Sequence, residues 1–180
     1  MSAVRPPDVI NLERLRLRRP TLADAPAIFE YASDPEVARY ADWPISTSLE
    51  SVTERLHSRE AEWNAGVEFH WVVTLPPDDR AIGAVACTIS KHTAEFGYVF
   101  ARRFWRNGYA TEAARGIVEW ILSVPSVWRV SATCDVDNRA SARVLEKAGL
   151  TREGTLRRAM ARPNLPGAPR DAFLYSKVRE

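Results

Sequence analysis

Residues 102–113 read RRFWRNGYATEA and set Arg102, Arg103 and Arg106 just ahead of Gly108 and an alanine-rich stretch. The start of a helix exposes unpaired N–H groups and carries partial positive charge, so it binds anions well. A glycine where loop turns into helix lets an anion approach the backbone, and nearby guanidinium groups add to the attraction. A tight strand-to-helix turn asks for the same glycine, and this segment alone leaves both readings open. The common nucleotide loops are excluded. No lysine follows the glycine as a P-loop requires, and no two glycines stand two apart as in a dinucleotide fingerprint.

Other reactive residues point away from metal and hydrolytic chemistry. His57, His70 and His92 are scattered, with no H-E-x-x-H, so no metal is expected. No G-x-S-x-G elbow suggests a serine hydrolase. Cys87 and Cys134 lack metal-ligand spacing and form no disulfide framework. Cys134 lies on an alternating strand and reads as a buried thiol rather than an acyl carrier.

The elements that must position these residues are legible from periodicity. RLRLRR from Arg14 alternates like a half-buried strand. Thr21 and Asp24 form a capping-box variant ahead of a helix whose stripe is Leu22, Ala25, Ile28, Phe29 and Ala32. A second helix, from the STSLES stretch onward, closes at Gly66. Between the two helices, the YADWPIS loop offers Trp43 either as packing or as a substrate wall. EFHWVVTL, AIGAVACTIS and AEFGYVFA read as strands. After Gly108, Ala110, Ala113, Ala114, Ile117, Val118 and Ile121 mark one buried helix face. Then come strand VWRVSATC, helix NRASARVLEKAG, and strands TREGTLRRAM and DAFLYSKV, the last two joined by a proline-rich loop. This order describes one mixed α+β domain over 13–180, preceded by a flexible tail at 1–12.

Composition narrows the partners. A net charge of +2 is too small to argue for DNA or RNA, and the clustered arginines suit a small polyanion better. No apolar run reaches the length of a membrane span, and nothing at the N-terminus resembles a signal peptide, so a soluble cytoplasmic protein is expected.

EFGYVFARRFWRNGYATEAARGIVEW followed by DVDNRASARVLEKAGLTREGTLRR resembles the acetyl-CoA-binding half of the GNAT acetyltransferase superfamily. The nearest branch acetylates protein N-terminal amines, the ribosomal-protein RimJ/RimL-like enzymes. The resemblance spans roughly residues 13 to 178. It implies a central, mostly antiparallel sheet of about seven strands with about four helices, and a V-shaped opening between the fourth and fifth strands. WRNGYA occupies the family's R/Q-x-x-G-x-G/A loop, with Trp105 replacing the usual Arg or Gln and Arg106 where a small residue is common. On this likeness the N–H groups of 106–111 hold the coenzyme's pyrophosphate. The ligands are then Arg103, Arg106, Asn107, Gly108, Tyr109, Ala110 and Thr111, with strand residues Tyr98, Val99 and Phe100. The second motif supplies Asn138, Ser141 and Lys147, with Val144 and Leu145 turned to the core.

Acetyl transfer to an amine needs a base, since most alkylamines are ammonium at neutral pH. The resemblance assigns that role to Glu95, working directly or through water. An N–H around Val99 or Phe100 would polarise the thioester oxygen. Many relatives protonate the departing thiolate with a tyrosine in the second motif. This chain has none between Tyr109 and Tyr175, which leaves Ser141 as the acid or as a passive pantetheine contact. The acceptor is expected to be a protein or peptide N-terminal α-amine. The alternatives are a small amine, a catalytically silent acyl-CoA-binding module, or an RNA-binding protein. The first two helices, the Trp43 loop, Glu95 and the 160–170 loop would meet the acceptor, and the chain would act as monomer or homodimer.

Overall fold

A computed structural model describes residues 5–180. Its elements are β1 Val9–Asn11, β2 Arg16–Arg18, α1 Ala25–Ala32, α2 Pro35–Ala38, α3 Leu49–Ala65, β3 Phe69–Leu75, β4 Asp78–Ser90 and β5 Thr93–Phe100. They continue with α4 Tyr109–Ser123, β6 Arg129–Asp135, α5 Arg139–Lys147, β7 Thr151–Met160 and β8 Arg170–Val178. The strands form one sheet in the order β1-β2-β3-β4-β5-β6-β8-β7. Only β5 and β6 run parallel; every other neighbouring pair is antiparallel.

This is the mixed fold expected from the pattern, with two differences. The sheet has eight strands rather than about seven, because Val9–Asn11, assigned above to a flexible tail, pairs with β2. Pro7 O also accepts from the indole N–H of buried Trp71 at 3.0 Å, and Arg19 N donates to Asp8 O at 3.0 Å. These bonds anchor the chain from Pro7 onward, and the first part of the assigned tail, residues 1–4, lies outside the described residues. The second difference is α2, a single turn opened by Asp34, whose carboxylate accepts from Glu36 N.

Packing follows the alternation of each strand. In β5, Ala94, Phe96 and Phe100 face the main core with Trp71, Val73, Val85, Ile117 and Ile121, beneath α4. Val99 and Val72 face the other way, onto α1 and α3 through Ile28, Tyr31, Val52 and Leu56. Helix ends behave as their residues dictate. Ser48 caps α3 by accepting from Ser51 N, and Gly66 closes it at φ 70°. Asp24 sits 5% exposed and accepts from Thr21 N at 2.8 Å and from Arg18 at 2.7 and 2.8 Å. That carboxylate joins the entry of α1 to β2.

Candidate active site

The site begins where two strands part. β5 and β6 are paired only at Thr93–Arg129, Ala94–Val130 and Glu95–Ser131, yet β5 continues to Phe100 and β6 to Asp135. The V-shaped opening therefore starts at Glu95. It lies between the fifth and sixth strands because β1 adds one to the count.

Strand alternation decides which amides face this opening. Ala101 N donates to Ile82 O at 2.9 Å, toward the β4 side. Every second residue of a ladder points the same way, so the N–H of Val99 also faces β4. This corrects the expectation that Val99 might polarise the thioester. The N–H groups of Phe96, Tyr98 and Phe100 face the splayed side instead. Ala94 O accepts there from Ser131 Oγ at 3.3 Å, and Phe100 O from the Trp105 indole at 2.8 Å. Trp105 thus pins the start of the next loop to the end of β5.

That loop turns sharply into α4. Arg106 has φ 65° and Gly108 φ 80°, both left-handed. Arg106 adopts a conformation that side chains rarely take, and Gly108 caps α4 with no side-chain hydrogen bond. The first intrahelical bond is Glu112 N to Gly108 O, and the N–H groups of 106–111 donate to no other group among the described residues. An open helix start of this kind fits a diphosphate.

The arginines divide differently from the sequence reading. Arg103 is bound to Glu30 of α1, which also takes Arg80, so its charge is partly compensated. Arg102 and Arg106 are exposed and form no salt bridge among the described residues. Arg14, missed in the sequence, donates to Asn107 O at 3.1 Å and to Glu112 at 2.7 Å, and covers the Tyr109 ring at 4.8 Å. Its only signal was the alternating RLRLRR strand. Thr111 and Ala110 lie half-buried in the first turn of α4.

Across the opening stands α5, capped by Asn138, whose Oδ1 accepts from Ser141 N at 3.1 Å. The Tyr98 hydroxyl lies 2.8 Å from Ser141 Oγ, linking β5 to α5. A tyrosine does reach this serine, but from the strand rather than from the second motif. Burial raises the Tyr98 phenol above its ordinary range, and the bond to Ser141 only partly opposes it. Cys134 lies beside the same serine. Burial, then Asp135, pushes its thiol up to about 11, which keeps it protonated and unsuited to carry an acyl group. Lys147 is exposed at the far end of α5, where its carbonyl accepts from Arg115 at 2.7 and 2.9 Å.

Glu95 is on the opposite face from Tyr98. Glu95 is exposed at the surface, yet partial burial raises its carboxyl above its ordinary value, and the charge of Asp42 adds to the rise. Asp42 precedes Trp43, which packs beside the α1–α3 cluster and lies under Arg55 at 5.4 Å. Asn164 ties this loop to the segment between β7 and β8. It donates to Ala38 O at 2.7 Å and Trp43 O at 2.9 Å, and accepts from Ile45 N at 2.9 Å. The two loops are thereby joined into one rim, and Asp42 of that rim acts on Glu95. His70 lies outside it, 2.7 Å from Glu68 and 3.3 Å from Glu62. Their ligand atoms are close enough to hold a cation, a grouping that histidine spacing could not reveal.

Residues 14–151 match the acetyltransferase (GNAT) domain. The chain belongs to the GNAT acetyltransferase family. It is 32% identical over 174 residues to the uncharacterized N-acetyltransferase YoaA of Bacillus subtilis (strain 168), covering 95% of this chain and 97% of that one. The solved structure of a GNAT-family acetyltransferase from Bacillus anthracis superposes with a TM-score of 0.82 at 27% identity, covering 94% of this chain and 98% of that one. RimL, the ribosomal L7/L12 α-N-protein acetyltransferase solved with coenzyme A, shares the fold at a TM-score of 0.83 and 20% identity, covering 94% and 97%. The protein is therefore a GNAT N-acetyltransferase, and among the described residues no helix is long and apolar enough to cross a membrane.

Proposed function

We propose that this GNAT enzyme acetylates a peptide or protein N-terminal α-amine, in the manner of the RimJ/RimL-like branch. The carrying observation is that one strand serves both halves of the reaction. The free N–H edge of β5 and the open start of α4 suit an acyl-CoA on one side, and Glu95 heads the same strand on the acceptor side. Acetyl-CoA, when bound, supplies an acetyl thioester.

The N–H groups of 106–111 hold its diphosphate, with Arg106 adding positive charge. Tyr98 or Phe100 N–H polarises the carbonyl. Glu95 takes the proton of the incoming ammonium, a role its raised pKa suits. Ser141, bonded to Tyr98, stands ready to protonate or hydrogen-bond a departing thiolate. Trp43 forms the acceptor wall. The peptide reading draws on the motif likeness and on the RimL fold; a small amine as acceptor remains the second reading, since the same base serves it equally.

Thiol release from acetyl-CoA with matched panels of peptides and small amines tests the acceptor. Peptide α-amines are expected to show the highest kcat/KM. A small amine that outruns every peptide would reverse the assignment.

A further inference from the structure

Five half-buried arginines among the described residues are compensated. Arg18 binds Asp24 and Asp79, Arg129 binds Glu153, and Arg170 binds Asp135 and Asp137. Arg19 reaches Asp8, and Arg179 caps the carbonyls of Leu122, Val124 and Pro125. Arg55, Arg59 and Arg162 differ. All three are half-buried, and none has a carboxylate within 4 Å among the described residues; Arg55 and Arg162 are the two at the Trp43 loop. Arg55 has only Ser46 Oγ at 2.6 Å. Arg162 Nε is the only buried side-chain nitrogen or oxygen among the described residues with no hydrogen-bond partner. Burial works against the charged form of Arg55 and of Arg162, and for Arg55 the charge of Arg59 adds to this.

Their positions give the imbalance a meaning. Arg55 lies over Trp43, and Arg162 is two residues from Asn164, which binds the Trp43 loop. Arg162 feels Asp135 and Asp42, with Cys134 and Arg170 also in range, and Asp42 in turn acts on Glu95. The rim thus carries Asp42 together with two guanidiniums that have no carboxylate in direct contact. A half-buried, unpaired cation is costly, and an anionic partner removes the cost. Arginine's fork suits carboxylate or phosphate.

We propose that the acceptor is an anionic amine: the molecule that presents its amine to Glu95 also carries a carboxylate or phosphate a few bonds away, bound by Arg162 and Arg55. This rests on the acetyl transfer proposed above, and in a peptide acceptor the anion is an acidic side chain near the N-terminus.

The test measures kcat/KM by thiol release from acetyl-CoA for pairs that differ only in the anion. The peptide arm uses N-termini with Asp, Asn or Lys in the second position. The small-molecule arm uses amino acids against their amides, and phosphoethanolamine against ethanolamine. An anionic member favoured by about tenfold or more in either arm is expected, the range of one charged hydrogen bond. Arg162→Gln and Arg55→Gln should shrink that preference, mainly through KM, and Arg162→Glu should turn it toward the Lys peptide. CoA affinity, read by calorimetry, serves as the check that each variant is folded. Equal rates for anionic and neutral partners, or a preference untouched in the variants, would overturn the proposal while leaving acetyl transfer intact. No turnover with any amine would overturn both.

Discussion

Glu95, the proposed base, carries a carboxyl raised above its ordinary value. A carboxylate in open water would be too weak to take a proton from an ammonium near neutral pH, whereas one raised by desolvation and by Asp42 is better matched. Because its folded pKa is raised, Glu95 gains its active, ionised form only at higher pH than a free carboxylate would. The rate should fall on acidification with an inflection above the ordinary carboxylate range of about 4. Glu95→Gln should lower kcat by about 10²–10⁴ and abolish that inflection while CoA still binds. A variant that keeps the wild-type rate and pH profile would remove the base assignment. At this scale the sequence was partly readable. Glu95, Gly108, Asn138 and Ser141 stand in recognisable local motifs. Asp42, Arg14 and Arg162 join them from distant segments, and the Tyr98–Ser141 bond spans 43 residues, so no local spacing announces them.

Elements carry the site through their ends and edges. α4 and α5 were legible because a period of three to four apolar positions and a cap define a helix locally. The opening was legible only through family likeness, because strand pairing is non-local and nothing in β5 itself says where β6 leaves it. β1 went unseen because three residues carry too little alternation to read. The rim whose Asp42 acts on Glu95 hangs from α1, whose entry depends on the Asp24–Arg18 pair. Burial acts to raise the Asp24 carboxyl, but the bonds from Arg18 and Thr21 outweigh it and hold the group below its ordinary range. Its contribution is therefore complete above an unfolded carboxylate pKa of about 4, and is lost as pH falls through the lower folded value. Asp24→Asn should cost about 2 kcal/mol at pH 7, discounted from a fully buried pair because Arg18 is partly exposed. Urea midpoints checked at pH 7 and near pH 3 should show the gap between wild type and variant closing in acid. A gap that stays constant would contradict the linkage.

In the whole molecule, one sheet separates two tasks. The main core fixes α4 and the loop before it on one face, and the α1–α3 cluster packs against Trp43 on the other. β5 contributes to both faces, so a ligand in the opening would touch both cores. The fold class was legible from element order, while the unpaired guanidiniums at the rim emerged only once distant loops met. The decisive measurement is a calorimetric titration of coenzyme A into the wild-type protein and into Gly108→Val, each shown to be folded by circular dichroism. Gly108 sits at φ 80°, with Arg14 beside it, so valine both strains the turn and crowds the open amides. Saturable binding of about one CoA per chain by the wild type, lost in Gly108→Val, is the expected result. No heat from the wild type, or equal affinity in the variant, would contradict diphosphate binding at the start of α4.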